Sequence, residues 1–284
     1  AGASLEVIDA QGNPDDPANW RASTLLYGTP GTAAPAPPAP AVVLNEVMAD
    51  NVSAVPQGGR FPDWIELHNP GATPVDLTGW SLSDSGNPRR FVFTSGPVLA
   101  AGSFLVVWCD TNTAAPGLHT GFALDRDGTG VFLYDGATNR VDAVSLGAQL
   151  ADYSVGRVAG SWQLTSPTPG AANTAAALAP ASALVLNEWL ANAPPGGQDW
   201  VELHNTSSIL PAALRGLYLS SDATLQRLAA LSFIRPGGFL QLLADEQPGP
   251  QHLDFRLAAA GGTLVLADAG GTELNRVSYG PQTE

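Results

Sequence analysis

The chain has 284 residues, 44% hydrophobic and 13% charged, which is enough apolar material for two cores of ordinary size and too much for a disordered acidic tail. Its net charge is −14 and all twelve basic residues are Arg, scattered along the chain, which argues against nucleic acid as a partner. The single cysteine, Cys109, excludes an internal disulfide and any cysteine-based zinc site, and no apolar run approaches the roughly 20 residues that span a bilayer.

Residues 1–31 open with a short strand pattern around Leu5 and Val7, pass through "DAQGNPDDP", reach Trp20 and end on Thr29-Pro30-Gly31. Residues 32–41 are rich in Pro and Ala and predict a stiff, extended spacer. From residue 42 to 173 the pattern is of short alternating strands: "VVLNEVMADN", "DWIELHN", "LTGWSLSD", "SFLVVWCD", "GFALDRDGTGVFLYD" and "NRVDAV". Gly, Pro, Asn and Asp clusters separate them, and no stretch shows capped helical spacing. In "FLVVWCD", Leu105, Val107 and Cys109 share one strand face, so the thiol is expected to be a buried small hydrophobe. Residues 174–183 form a second linker, and 184–284 repeat the strand series.

The repeat is close. "VVLNEVMADN" returns as "LVLNEWLAN", "LTGWSLSD" as "LRGLYLSSD", "SFLVVWCD" as "GFLQLLAD", and "NRVDAV" as "NRVSYG", at offsets of about 133 to 142 residues. "DWIELHN" (63–69) returns as "DWVELHN" (199–205) with one Ile/Val exchange. Seven or more short strands per unit predict an all-β protein of two tandem β-sandwiches.

The two units differ at their ends. The first continues with "DYSVGRVAGSWQLTSPTPGAAN" (152–173), for which the second has no counterpart. Residues 1–31 have that layout, with Trp20 matching Trp162 and Thr29-Pro30-Gly31 matching Thr168-Pro169-Gly170. The expectation is that residues 1–31 form the detached final strand of a further unit, and that the second sandwich lacks its own.

The blocks "LNEVMADN…DWIELHNPG…VDLTGWSLSD", closed by a Trp and "PTPGAAN", resemble the lamin tail domain family. That resemblance covers both units and implies immunoglobulin-like β-sandwiches. It implies a non-catalytic structural or interaction module, similar in bacteria to repeats of secreted and surface proteins. The −14 charge speaks against any DNA-binding role.

Glu66 and His68 share a strand face with Trp64, as Glu202 and His204 do with Trp200, and such a pair can act as acid and base. No nucleophile motif accompanies either pair, and duplication suits a scaffold better, so Glu46, Asp63 and Glu66, with Glu188, Asp199 and Glu202, are read as scaffold carboxylates. Glu66 and Glu202 are expected to accept backbone N–H groups. His119 and His252 fall in irregular segments and show no metal-binding spacing. Calcium is the cation that the acidic loops suit, with Asp125 and Asp127 in one loop and Asp9, Asn13, Asp15 and Asp16 in the other. Asn51 and Asn205 each begin a glycan acceptor triplet. Leu5, Val7 and Trp20 are the expected assembly residues, filling the gap in the next molecule by strand addition to give a head-to-tail homopolymer. The opening without Met resembles a mature exported chain, which points to a secreted or cell-surface location.

Overall fold

The computed structural model describes residues 3–8, 19–26, 28–32, 40–222 and 224–282. Among them there is no α-helix; the regular structure is β apart from 3-10 conformation at Asn19 and at Ala181–Ala183. The N-terminal segment supplies β1 (Ala3–Val7) and β2 (Trp20–Leu26), which pair with each other in an antiparallel hairpin.

The first sandwich runs through β3 (Val43–Met48), β4 (Asp63–His68), β5 (Val75–Asp76), β6 (Ser81–Ser83), β7 (Phe91–Val92) and β8 (Val98–Leu99). It continues with β9 (Phe104–Cys109), β10 (Thr129–Tyr134), β11 (Arg140–Leu146), β12 (Ser154–Val158), β13 (Ser161–Ser166) and β14 (Thr174–Ala175). One sheet has the order β14-β13-β12-β3-β4-β9, the other β11-β10-β6-β7, and β5 pairs β8. Period-two alternation drives Leu44, Ile65, Leu67, Val107, Cys109, Leu133, Val144, Val155 and Leu164 into the core between them.

The second sandwich contains β15 (Leu184–Leu190), β16 (Asp199–Asn205), β17 (Ala212–Ala213), β18 (Leu217–Ser221) and β19 (Thr224–Arg227). It ends with β20 (Phe233–Ile234), β21 (Phe239–Ala244), β22 (His252–Leu253), β23 (Gly262–Asp268) and β24 (Glu273–Tyr279). Its sheets have the orders β15-β16-β21-β22 and β19-β18-β23-β24, with β17 pairing β20. Here β15, the counterpart of β3, is the edge strand of its sheet among the described residues.

Sheet register corrects one alignment. Leu133 lies between Leu82 and Asp142, and Leu266 between Leu219 and Asn275, so Asp142 corresponds to Asn275. The match of "NRVDAV" to "NRVSYG" is therefore three residues out of register. The corrected pair does the same work, because Asp142 accepts the Leu44 N–H (2.9 Å) and Asn275 the Leu186 N–H (3.0 Å).

The units also touch. Leu231 and Phe233 pack into the first core. The backbone N–H of Gly147 donates to Leu231 O, that of Phe233 donates to Ala148 O, and the Ser232 hydroxyl accepts the Ala148 N–H. A Cβ on Gly147 would stand 1.8 Å from Ser232 Oγ, so glycine there is a requirement of close approach.

Candidate functional site

The repeated heptapeptide resolves into the same structural roles in both units. Asp63 accepts the Asn51 N–H (3.1 Å) and Asp199 the Ala193 N–H (3.1 Å), each closing the loop that returns from the preceding strand. Burial pushes the Asp63 carboxyl up to about 6. His68 stacks on Phe104 at 4.4 Å and His204 on Phe239 at 4.3 Å, and desolvation lowers the His68 pKa. Asn69 donates to Thr73 O and Leu99 O, while Asn205 donates to Leu210 O, Ile234 O and Arg235 O. Both asparagines are fully buried.

Between these lies a pair of carboxylates. A register shift in each first strand makes Asn45 and Asn187 the extra residue of a β-bulge, and it brings Glu46 directly opposite Glu66 and Glu188 directly opposite Glu202. Each bulged Asn donates its amide to the facing Glu, Asn45 to Glu66 at 2.8 Å and Asn187 to Glu202 at 2.7 Å.

The surroundings then diverge. Glu46 and Glu66 are fully buried. Glu46 accepts the Ser154 hydroxyl (2.6 Å), the Thr168 N–H (3.1 Å) and the Thr168 hydroxyl (3.2 Å); Glu66 accepts the Gly170 N–H. Burial drives the Glu46 carboxyl up to about 7 against the pull of Ser154 and Thr168, and it raises Glu66 against Gly170 and Asn45. Apart from Asn45, these donors belong to β12 and to the turn that follows β13. Glu188, with no such cover, is exposed, and Glu202 is half-buried. The expectation that Glu202 accepts backbone N–H groups therefore fails: its partner is the Asn187 side chain, because the strand that would bring N–H groups is not beside β15.

The heptapeptide does not build a reactive pair. Glu66 is occupied by Gly170 and Asn45, His68 by its ring contact, and the Ser154 hydroxyl nearest the carboxylates is buried. Sequence reasoning missed a second repeated pair. His119 Nδ1 lies 2.7 Å from Asp110, and His252 Nδ1 lies 3.0 Å from Asp245. Each ties the end of β9 or β21 to a segment returning parallel to it, Trp108 to His119 and Leu243 to His252. Their spacings, nine and seven residues, differ because the intervening loops do, which hid the equivalence.

Asp125 and Asp127 line an open cleft with Asp50, Asn51, Asp63 and Asp84. Asp125 is engaged as an ordinary Asx turn, accepting the Asp127 N–H at 2.9 Å, and Arg126 stands 3.8 Å from Asp50. Among the described residues no group of three or more His, Cys, Asp or Glu side chains is placed to hold a metal ion. Asp9, Asn13, Asp15 and Asp16 lie outside the described residues. The Asn51 amide is spent on Val55 O and Pro62 O and the Asn205 amide on three carbonyls, so neither acceptor triplet is open to a glycan in the folded chain.

Leu5 and Val7 are exposed, 68% and 42%, as are Ile8 and Leu25. Trp20 is half-buried, and its carbonyl accepts the Arg140 guanidinium. In the matching hairpin β12–β13 the core-facing Val155 and Leu164 are fully buried.

The sheet topology thus defines two immunoglobulin-like β-sandwiches. Residues 35–148, which cover most of the first sandwich, match the family model described as Lamin Tail Domain. No curated protein matches the chain significantly. No helix of the described residues is long and apolar enough to cross a membrane.

Proposed function

We propose that the chain is a non-catalytic structural subunit of an extracellular assembly, in which the β1–β2 segment of one copy completes the β15 edge of the next, head to tail. One observation carries this reading. In the first unit a hairpin followed by Thr-Pro-Gly covers strand β3; in the second no strand of the described residues lies beyond β15, and β1–β2 leaves Leu5 and Val7 in solvent. Burying Leu5 and Val7 contributes about 1.5–3 kcal/mol each. Association costs about 4–15 kcal/mol, so the added backbone hydrogen bonds decide the balance.

The unit–unit junction supports propagation. By sheet register, Val98 is the counterpart of Phe233, and Gly280–Gln282 that of Gly147–Gln149. Val98 is 64% exposed where Phe233 is 4% exposed. A following copy would therefore meet the second unit with the surfaces by which the second unit already meets the first, and a heterologous contact of this kind extends without closing. An extracellular location belongs to the same proposal and rests on the likeness to secreted tandem repeats; recovery of the native protein from the cytosolic fraction alone would remove it.

Light scattering and negative-stain microscopy of the intact chain and of one lacking residues 1–31 test the assembly. Polymers from the intact chain, monomers from the shortened one, and inhibition by a free 1–31 peptide are expected. Monomers in both cases overturn the reading. The packed junction at Phe233 also favours a second reading, in which the sandwiches are binding or adhesion modules carried beside a hydrolase domain in one longer polypeptide; the full-length gene decides that point.

A further inference from the structure

We propose that Glu188 and Glu202 are a carboxylate latch for a second copy of this chain, engaged by the backbone N–H groups of its Thr29 and Gly31 and by its Arg21 guanidinium. The inference rests on the head-to-tail reading above and specifies the chemistry and register of that contact.

The first unit shows how such a latch works. There Val155 pairs with Val47 and Gly156 with Glu46, and the turn after β13 brings the N–H groups of Thr168 and Gly170 onto the two carboxylates. The turn in the N-terminal segment is already built the same way. Thr32 N–H donates to Thr29 O at 3.0 Å, as Ala171 N–H donates to Thr168 O at 3.0 Å. Gly31 has φ of +78° and Gly170 of +82°, a conformation that glycine adopts without strain. Among the described residues the Thr29 and Gly31 N–H groups have no acceptor, and no donor reaches Glu188.

Hairpin register sets the frame at the Trp end. Arg157 pairs with Trp162, and Val7 with Trp20, so Glu6 is the counterpart of Gly156; a register shift between Ala3 and Leu5 then takes up part of the longer run from Trp20 to Thr29, nine residues against six from Trp162 to Thr168. The exchange of Gly for Glu is matched by a second one. A Cβ at Gly156 would stand 2.7 Å from the Asn173 side chain, and at the position of Asn173, counted from Thr-Pro-Gly, the N-terminal segment has Ala34. A larger residue at one site thus accompanies a smaller one at the other. Glu6 comes with its own cation, since Arg21 Nε lies 3.3 Å from its carboxylate, and that guanidinium would reach the otherwise uncompensated Glu188. Beside the latch on β15, the buried Nε1 of Trp189 has no acceptor among the described residues.

Full-length chains test both the register and the latch. Cys109 is buried, so engineered thiols report alone. Glu6→Cys chains and Glu188→Cys chains are mixed under mild oxidation; directly opposed residues of an antiparallel pair lie about 4.5–5.5 Å apart between Cα atoms, within disulfide reach. Association of the Glu188→Gln/Glu202→Gln chain is measured by light scattering; Glu188 is exposed on the edge strand, and Glu202 on the neighbouring β16 is half-buried and keeps an amide oxygen to accept from Asn187, so folding is retained. The expected results are a disulfide-linked heteropair in the mixture, in excess of any homodimer of either variant, and association weakened about tenfold or more by loss of the charged acceptors. A heteropair with unweakened association of the Gln variant overturns the latch and leaves head-to-tail assembly standing. Association without the heteropair overturns the register and with it the latch. Absence of any concentration-dependent mass in the unmutated chain overturns both.

Discussion

Strands β3 and β15 contain the same Leu-Asn-Glu block, make the same bulge and place the same Glu opposite the same Glu, yet the carboxylates of one are sealed and those of the other are open. The difference does not arise in either strand. It comes from β12, β13 and the Thr168–Gly170 turn, which bring four hydrogen bonds to Glu46 and Glu66 and shut out water. A buried carboxylate pair is thus a property of the neighbouring hairpin.

The comparison can be broken most forcefully at the junction. Phe233→Ala removes an aromatic side chain packed into the first core, and calorimetry should show the unit interface weakened by about 3–5 kcal/mol. Next, Glu46→Ala takes the acceptor from the half-buried Thr168 N–H and one of the partners of the buried Ser154 hydroxyl, and urea unfolding should record a loss of about 1–3 kcal/mol in the first unit. An equal loss from Glu188→Ala in dilute monomer would erase the distinction between the units.

The pH dependence sharpens it. Because burial raises Glu46 from 4.5 to about 7, the folded first unit keeps a proton that the unfolded chain has already released. Its stability is therefore full below about pH 4.5 and declines as the pH climbs through 7, by on the order of 3 kcal/mol. Denaturation of the first unit at pH 5 and pH 7.5 checks the sign; greater stability at the higher pH would contradict the buried geometry. Asn69→Ala and Asn205→Ala should each cost about 1–3 kcal/mol by freeing buried carbonyls, and nearly equal losses would affirm that the heptapeptide serves one role in both units. The smallest effect is expected from Glu188→Gln in the isolated monomer, within about 0.5 kcal/mol in thermal melts.

Much of this was legible in the sequence. Alternation in "DWIELHN" and "FLVVWCD" placed Ile65, Leu67, Val107 and Cys109 in a core because a strand repeats every two residues whatever surrounds it. The duplicated blocks predicted two similar sandwiches, and the Thr-Pro-Gly match singled out residues 1–31. The candidate site was legible only in part. Its residues were named, but the fate of Glu202 was misjudged, since a strand's sequence does not record which strand lies beside it. The His119–Asp110 and His252–Asp245 ties were invisible because loops of different length separate their members. The "NRV" coincidence misled because it is only three residues long, and cross-strand pairing, rather than identity, sets register.

The sequence by itself determined the class of the protein, its duplication and the local roles of turns and strands, since those depend on side-chain periodicity and backbone preferences within a few residues. Tertiary structure alone decided which carboxylates are buried and which amides are sealed from modification. It also decided that the two units share a packed junction. Each of these depends on desolvation by segments a hundred residues away, and hydrogen bonds between Glu46 and Thr168 or Gly147 and Leu231 exist only once the chain has folded back on itself.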